Sequence, residues 1–391
     1  MGSFDEYWRR CLEGLDKTGR RRRLRDFDRL ADGRVRVGGG ELVDFSSNDY
    51  LGLSHHPALI RRAGEFTERW GTGAGASRLV SGNLPPAARI EEKIARGKGT
   101  EAALIFVSGV QANLTLLPAL LDARVLGGEA LVYADRLNHA SLIQGCAAAG
   151  VRQIRFRHND LFHLEELLER QKDEARPRVI ITETVFSMDG DRTDIPALTV
   201  LAEKYDAFLY LDEAHATGVL GEGGFGLAHG LRNGLVMGTF SKGLGGFGAY
   251  AACSHGLRDY LVNRCGGVIY ATALPPAVLG AMDAALDLLP GLDAERTRLA
   301  AHGERFRAAL RAAGLDTGAS STQIVPLILG AEERALNMAS RLEAEGFLAV
   351  AIRPPTVPAG TSRIRFTFSA LHTDAQREAL TEAVIRLSKL P

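Results

Sequence analysis

The stretch that decides the fold is AFLYLDEAH at residues 207–215, an apolar run that ends in a carboxylate. A short apolar run of this kind is typical of a strand that is buried on both faces of a sheet. Asp212 ends the run, and an unpaired carboxylate is costly to bury there, so it needs a cationic partner. The stretch therefore predicts a buried strand that carries a charged functional group at its carboxyl end.

Similar apolar runs occur on both sides of this stretch and alternate with helical patterns. They lie at residues 102–107, 130–134, 178–184, 235–239 and 248–253. Strands separated by helices predict an α/β domain with a mostly parallel sheet that is covered on both faces. After about residue 285 the pattern changes to long helices and a few strands, which predicts a smaller α+β domain.

The predicted organisation has three parts. Residues 1–45 form an N-terminal helical segment, in which residues 4–30 are expected to be one basic amphipathic helix. Residues 46–285 form the large α/β domain, and residues 286–391 form the small C-terminal domain.

Composition excludes several classes of protein. The chain has 391 residues, with 47 basic and 47 acidic side chains, whereas a general nucleic-acid binder has a basic excess. No apolar run approaches the roughly 20 residues that span a membrane. The four cysteines lack the paired spacing of a zinc site or a disulfide framework. We therefore expect a cytoplasmic protein with no metal site and no nucleic-acid or membrane partner.

Reactive side chains follow the predicted strands. Sheets of this kind bind ligands beyond the carboxyl ends of their strands. The residues at these positions are Ser108, Gly109, Asp135 to His139, Ser187, Asp212 to His215, Ser241 and Lys242.

Lys242 lies 30 positions after Asp212 in the sequence TFSKG at residues 239–243. A desolvated lysine is a nucleophile that forms imines with aldehydes. Taken alone, a lysine in a glycine-rich loop is usually solvated, and an Asp/His pair is as well explained by a metal site or by the surface. Together these residues predict pyridoxal phosphate (PLP), bound as a Schiff base to Lys242. Asp212 would keep its pyridine nitrogen protonated, and His215 would bind its phenolic oxygen.

A phosphate site is predicted at Ser108–Gln111, where a strand is followed by a helix. Free N–H groups and the dipole at a helix start favour a dianion, and Thr239 and Ser241 add hydroxyl donors. An ordinary helix start is the alternative. The glycine cluster at residues 71–75 lacks the preceding strand of a dinucleotide fingerprint, so we do not expect a dinucleotide cofactor.

The motifs of the chain resemble those of the α-oxoamine synthases, a family of fold-type I PLP-dependent enzymes. The resemblance runs from about Arg22 to Ile385 and rests on FSSNDYLGL at 45–53, NHAS at 138–141, VFSMDGD at 185–191, DEAH at 212–215, SK at 241–242 and AIRPPTVPAGT at 351–361. The glycines that follow Lys242 depart from the family pattern, which more often has alanine there, so the packing of this loop is in doubt.

The resemblance implies roles for individual residues. The catalytic residues would be Lys242, Asp212 and His139, whose ring would stack on the cofactor. The cofactor-binding residues would be Gly109, Val110, His139, Ser187, Asp212, His215, Thr239, Ser241, Lys242 and, from a partner subunit, Thr272. The substrate-binding residues would be Arg22, Asn48, His139, Arg353, Thr356 and Arg365, where Arg22 lies in a run of arginines and its register is open by one residue.

The resemblance also implies a reaction. Residues 351–361 favour the pimeloyl-specific member of the family, which would condense L-alanine with a pimeloyl thioester, with loss of carbon dioxide, in a homodimer with shared active sites. The thioester would be pimeloyl-CoA or a pimeloyl acyl carrier protein. Three alternatives remain: a sibling synthase that uses glycine and another acyl-CoA, an aminotransferase, and a binding module in which the basic N-terminal helix docks an acidic partner such as acyl carrier protein.

Overall fold

The computed structural model describes residues 3–17 and 20–390. Its α-helices are α1 Phe4–Lys17, α2 Pro57–Trp70, α3 Pro85–Lys98, α4 Gly109–Leu120, α5 Ala123–Leu126, α6 Ala140–Ala148, α7 Leu161–Arg170, α8 Ile195–Lys204, α9 His255–Arg264, α10 Gly266–Ile269, α11 Pro276–Leu288, α12 Asp293–Ala312, α13 Glu332–Ala344 and α14 Asp374–Leu387. Within these two ranges, no helix is both long and apolar enough to cross a membrane.

The strands are β1 Asp28–Arg29, β2 Arg34–Val37, β3 Gly40–Asp44, β4 Ala102–Phe106, β5 Leu131–Asp135, β6 Gln153–Phe156, β7 Arg178–Glu183, β8 Ala207–Asp212, β9 Gly234–Thr239, β10 Ala249–Cys253, β11 Ile324–Gly330, β12 Phe347–Leu348, β13 Val350–Ile352 and β14 Ser362–Thr367. The predicted strands of the large domain are all present, within two residues of the expected ends. The sequence did not predict β6, because its polar residues Gln153 and Arg155 interrupt the apolar run.

The main sheet has the strand order β4-β10-β9-β8-β7-β5-β6. Strands β6, β5, β7, β8 and β9 pair in parallel, whereas β10 runs antiparallel between β9 and β4. This topology confirms the prediction of an α/β fold with a mostly parallel sheet. Because parallel strands end at the same edge, the residues that follow β5, β7, β8 and β9 are brought to one side of the sheet.

Both faces of this sheet are buried, as the strand β8 illustrates. Leu209 and Leu211 point into one hydrophobic core, and Tyr210 points into another on the opposite face. Side chains alternate across a strand, so a continuous apolar run is what a strand between two helical layers requires. The apolar character of residues 207–211 has this physical origin.

The N-terminal segment departs from the prediction. The helix expected over residues 4–30 ends at Lys17, and residues 28–44 form β1, β2 and β3 in a sheet with β12. Like charges at helical spacing repel one another. The arginines of residues 20–25 instead pair with separate acids: Arg20 with Glu332, Arg21 with Asp16 and Arg25 with Glu343. The domain boundaries themselves stay a prediction.

Residues 45–50 lie against β14 and the residues that follow it. The carbonyl of Phe45 accepts a hydrogen bond from the amide of Thr367 at 2.8 Å, and the carbonyl of Tyr50 accepts one from the amide of Ala370, also at 2.8 Å. The amide of Thr367 belongs to β14, in the sheet β11-β14-β13. Asn48 and Tyr50 are thereby fixed beside β14 and its arginines.

A buried ion pair supports the loop that follows β8. The side chains of Lys98, at the end of α3, and Glu213 form a salt bridge, and both are fully buried. Glu213 also accepts hydrogen bonds from the amides of Leu227 at 2.6 Å and Ala228 at 2.9 Å. The carboxylate next to Asp212 therefore joins α3, β8 and the loop at residues 225–228.

We predict that Lys98→Met lowers the free energy of unfolding by about 3–5 kcal/mol, because it leaves the charge of Glu213 buried without its partner. Urea denaturation followed by circular dichroism measures this loss. The matched control is Lys172→Met, which removes the half-exposed pair with Glu169 and should cost at most about 1 kcal/mol. Equal losses for the two variants would contradict the role of the buried pair.

Candidate active site

The ends of the parallel strands surround a cavity of about 200 Å³. Its lining residues lie near the carboxyl ends of β4, β5, β7, β8 and β9 or in the segments that follow these strands. They are Ser108, Gly109, Val110, Asn113, His139, Ser141, Glu183, Asp212, Ala214, His215, Met237, Thr239, Ser241 and Lys242. A second cavity of about 420 Å³ also reaches Lys242 and includes Asn48. The structure thus brings together most of the residues that the sequence predicts for the cofactor.

Asp212 lies on the floor of the smaller cavity and is almost fully buried. Its carboxylate accepts hydrogen bonds from the amide of Ala214 at 2.9 Å and from Asn113 Nδ2 at 3.0 Å. Both donors are neutral, and none of the ion pairs among the described residues includes Asp212. A buried carboxylate that has only neutral donors is electrostatically suited to a cationic ligand.

His139 caps the helix α6 at one wall of the cavity. Its Nδ1 lies 2.7 Å from Ser141 Oγ, which also accepts from Asn113 Nδ2 at 2.9 Å. The backbone amide of His139 donates to Glu183 Oε1 at 2.6 Å. Burial lowers the pKa of His139, which favours a neutral ring held in one orientation.

Lys242 follows β9 and is held by His215. Its Nζ lies 2.8 Å from His215 Nε2. Burial lowers the pKa of Lys242 to about 8, against the opposing effects of Asp212 and Glu183. Burial together with the charges of Lys242 and Arg365 holds the pKa of His215 well below its ordinary value. Near neutral pH, Lys242 can therefore lose its proton beside an uncharged imidazole.

Part of the cavity lining is suited to an anion. Ser108 caps α4 by accepting a hydrogen bond from the amide of Gln111 at 3.2 Å. Gly109 and Val110 lie in the first turn, where backbone N–H groups have no acceptor within the helix. Thr239 and Ser241 add hydroxyl groups that are 2.7 Å apart. The predicted phosphate-binding residues Gly109, Val110, Thr239 and Ser241 thus line one cavity.

Arg365, on β14, is buried beside Asn48. Its Nη2 donates to Asn48 Oδ1 at 3.1 Å, and its Nε donates to the carbonyl oxygen of Ser187. The predicted contacts for the amino-acid carboxylate, Asn48 and Arg365, therefore adjoin each other, and Ser187 joins them through its backbone.

Six predicted residues line neither cavity: Ser187 and Arg365, described above, and Arg22, Arg353, Thr356 and Thr272. Arg22 Nη2 and Thr356 Oγ1 are 3.5 Å apart, so these two do meet each other. Arg353 precedes Thr356, and the amide of Thr356 donates a hydrogen bond to the carbonyl oxygen of Arg353 at 3.1 Å. Thr272 is exposed and pairs with Ser77 in an isolated bridge. The roles of these residues stay predictions.

Several residues of the site were not predicted. Asn113 holds Asp212, Glu183 holds His139, and Tyr50 lies 2.6 Å from His215 Nδ1. The pattern around Asn113 is also typical of an ordinary helix interior, and the pattern around Tyr50 is also typical of an ordinary buried aromatic residue. Neither pattern therefore indicated a residue of the site. Glu183 ends β7 as Asp212 ends β8, and this parallel was the one signal that could have found it.

His158, also not predicted, connects two loops of the site. Its Nδ1 lies 3.0 Å from Asp135 and its Nε2 lies 2.9 Å from Asp191. Burial opposes the charge of His158, but the hydrogen bonds to the two carboxylates outweigh it and raise the pKa to about 10. An imidazolium thus joins the loop that carries His139 to the loop that carries Ser187.

With this geometry established, comparison with known proteins identifies the family. The profile of the aminotransferase class I and II family matches residues 40–384. The chain belongs to this family. The match covers the whole lining of the smaller cavity and most of the described fold.

Close relatives have a narrower description. An 8-amino-7-oxononanoate synthase from Gluconacetobacter diazotrophicus is 57% identical, over 98% of this chain and 97% of its own. A protein from Paramagnetospirillum magneticum, 60% identical over 98% of both chains, has a provisional form of the same name. These relatives confirm the predicted resemblance to the α-oxoamine synthases.

Solved structures agree with the predicted fold type. A serine palmitoyltransferase from S. paucimobilis that contains PLP linked to myriocin superposes with a TM-score of 0.89 at 25% identity, over 100% of this chain and 99% of that one. An 8-amino-7-oxononanoate synthase from Francisella tularensis gives a TM-score of 0.76 at 25% identity, over 89% and 98% of the two chains. The predictions of a fold-type I PLP-dependent acyltransferase, and of PLP as its cofactor, are confirmed.

The residues of this class I and II family member also fit the cofactor chemically. The buried carboxylate of Asp212 suits a protonated pyridine nitrogen, and the first turn of α4 suits a phosphate. Lys242 lines the same cavity, with an amine whose pKa is lowered by burial. The three groups that PLP requires thus line one cavity.

We predict that Lys242→Ala abolishes the visible absorbance of the purified protein with PLP, since no other lysine lines the smaller cavity. Absorbance spectra before and after borohydride reduction measure this loss, with Lys172→Ala as a surface control. A variant that keeps an unchanged, reducible yellow species would contradict the assignment of Lys242.

We also predict a pH-dependent stability that depends on His158. Because its pKa is raised in the folded protein, the stabilisation is complete below pH 6.5 and is lost as the pH rises through about 10. The expected change is roughly 2–4 kcal/mol, after allowance for partial exposure. Urea denaturation at several pH values should show a flatter profile for His158→Gln than for the parent or for a control at exposed His55.

Proposed function

We propose that this chain catalyses the decarboxylative condensation of L-alanine with a pimeloyl thioester in biotin biosynthesis. The products are 8-amino-7-oxononanoate, carbon dioxide and a free thiol. The observation that carries this proposal is the buried Lys242 amine, which lies beside Asp212, His139 and His215 in a relative of 8-amino-7-oxononanoate synthases. The names of the relatives supply the substrate class, and the site supplies the chemistry.

The cofactor is held, in this proposal, along the length of the smaller cavity. Lys242 would bind the cofactor's aldehyde through its amine, Asp212 would pair with the pyridine nitrogen and the ring of His139 would lie against the pyridine. His215 and Ser187 bind the phenolic side. The amides of Gly109 and Val110, with Thr239 and Ser241, bind the phosphate. When bound, PLP supplies an aldehyde that condenses with amines and a protonated ring that accepts electron density from the substrate.

Lys242 has a second role as a proton carrier. Once the substrate amine has taken its place, its free Nζ removes the Cα proton of alanine and later returns a proton to the product. A pKa of about 8 is suited to this work, because the amine can both accept and release a proton near neutral pH. His215 remains neutral and can accept a hydrogen bond from the ammonium group that forms.

Arg365 and Asn48 orient alanine by its carboxylate. The guanidinium is already fixed by its bonds to Ser187 and Asn48, so little ordering is required on binding. The Cα carbon of alanine forms a bond to the thioester carbonyl, and the thiolate leaves and takes a proton. The carboxylate is then lost as neutral carbon dioxide, and the electron pair that stays at Cα takes up the proton that Lys242 returns.

The acyl substrate contacts Arg22, Arg353 and Thr356, and arrives on coenzyme A or on an acyl carrier protein. The enzyme is a homodimer, in which Thr272 of each chain reaches the phosphate site of the partner subunit. The position of Thr272 outside this chain's own cavity is consistent with such sharing.

The test is an assay with purified holoenzyme, L-alanine labelled at its carboxyl carbon and pimeloyl-CoA. We expect equal amounts of free thiol, labelled carbon dioxide and a product of the mass of 8-amino-7-oxononanoate. The kcat/KM should exceed that for glycine with acetyl-CoA by at least roughly 100-fold. Preference for glycine would instead indicate a sibling synthase, and amino transfer to a keto acid without thiol release would indicate an aminotransferase.

A further inference from the structure

A chain of hydrogen bonds connects Lys242 to the residues that are proposed to bind the carboxylate. Lys242 Nζ lies 2.8 Å from His215 Nε2, and His215 Nδ1 lies 2.6 Å from the hydroxyl of Tyr50. This hydroxyl donates to Asn48 Oδ1 at 3.1 Å and accepts from Arg365 Nη2 at 3.5 Å. Tyr50 is therefore the junction between the two halves of the site.

The junction is rigid and dry. Tyr50 has 0% of its surface exposed and His215 has 5%. The carbonyl of Tyr50 is bonded to the amide of Ala370, and the carbonyl of His215 accepts from Gln323 Nε2 at 3.1 Å. Because Ala370 and Gln323 hold these two backbones and both side chains are buried, a change of hydrogen-bond partner at either side chain would require a larger rearrangement.

The hydroxyl of Tyr50 has one proton and two possible acceptors, His215 Nδ1 and Asn48 Oδ1. If the proton goes to Asn48, Nδ1 of the neutral imidazole carries its own proton and Nε2 is free to accept from Lys242. If the proton goes to His215, Nε2 must carry the imidazole proton and cannot accept. The direction of one O–H bond therefore sets which form of Lys242 is stabilised.

A carboxylate at Arg365 changes the balance between these two states. Arg365 Nη2 donates to Asn48 Oδ1 at 3.1 Å, and a bound carboxylate would compete for this N–H group. Asn48 Oδ1 then becomes a better acceptor for the Tyr50 proton. The state in which His215 accepts from a protonated Lys242 is favoured.

We propose that Tyr50 is a positioning residue that links the binding of the substrate carboxylate at Arg365 and Asn48 to the proton on Lys242. The inference rests on the proposed function, since it takes the substrate to be an amino acid. Tyr50 touches no reacting atom in this scheme. It makes Lys242 a better proton acceptor only when a carboxylate is in place.

Other charged groups face the same atoms and bear on any pH effect. Asp212 and Glu183 favour a protonated Lys242, and Arg365 disfavours it. Lys242, Arg365 and His139 disfavour a charged His215. A bound carboxylate would also act on Lys242 directly through space, so the test must separate the two effects.

The experiment uses the full chain before PLP is added, in which Lys242 Nζ is the free amine that lies beside His215, and propionate, a carboxylate without an amine. The readout is the midpoint of the pH dependence of the rate at which Lys242 reacts with added PLP, followed by visible absorbance. We expect propionate to raise this midpoint in the parent protein by at least about 0.5 pH unit. In Tyr50→Phe the rise should fall to less than about a third of that value at saturating propionate.

Tyr133→Phe is the matched control, because Tyr133 is equally buried and its hydroxyl donates to Gln171 at 2.8 Å, outside both cavities. The Tyr133→Phe variant should show the same propionate-dependent rise of the midpoint as the parent protein. A full rise in Tyr50→Phe would overturn the proposal in favour of a through-space effect. A parent midpoint that saturating propionate does not move would overturn both explanations.

A second measurement needs no variant. Nitrogen NMR of ¹⁵N-histidine-labelled holoenzyme reports which nitrogen of His215 carries the proton, and propionate should increase the fraction protonated at Nδ1. An unchanged fraction would also overturn the proposal. If these responses appear but alanine and pimeloyl-CoA give no thiol, the proposed substrates fail and the link through Tyr50 stands. If condensation occurs without these responses, the link through Tyr50 fails and the proposed substrates stand.

Discussion

The Asp212 carboxylate is buried and forms no ion pair within residues 3–17 and 20–390, and the rest of this site depends on that constraint. A charge at the end of an apolar strand would destabilise the fold if it were left without donors. The chain supplies neutral donors from Ala214 and Asn113, which hold the carboxylate in place without neutralising it. The negative charge of the carboxylate can therefore still attract the protonated ring of PLP. One side chain thus belongs both to the packed end of the strand and to the cofactor site.

The neighbouring Glu213 meets the opposite requirement. It has an ion pair with Lys98 and two backbone donors, so both of its oxygens are already bonded to the protein. Adjacent acids at the end of β8 thus have separate tasks: Asp212 faces the cavity, and Glu213 fastens the loop behind it. This division follows from the alternation of side chains across the end of a strand.

The strand β14 contributes to the site through its two arginines, which contact the loop at residues 187–191. Arg363 pairs with Asp189 at 2.6 Å, while Arg365 reaches Ser187, Asn48 and Tyr50. His158 fastens the same loop from the side of the large domain through Asp191. The loop at residues 187–191 is therefore held from two sides, which fixes the distance between the carboxylate site and the cofactor site. Lys242 lies where these two sites meet.

The sequence by itself determined the α/β class, the position of the parallel strands, and Lys242, Asp212, His215 and the Gly109 helix start as members of one site. These features depend on local patterns, because a buried strand must be apolar throughout and a functional residue must follow its end. The N-terminal helix was predicted too long, since the pairing of Arg20 and Arg25 with distant acids is not visible in a local pattern.

The residues that support the site could be identified only from the tertiary structure. Tyr50, Asn113, Glu183 and His158 act on partners that lie between 23 and 165 positions away, and their types are equally common in ordinary cores. Their roles arise from distances between loops that the fold sets, not from spacing along the chain. Lys242 has a lowered pKa for the same reason, because its burial and its neighbours exist only in the folded protein.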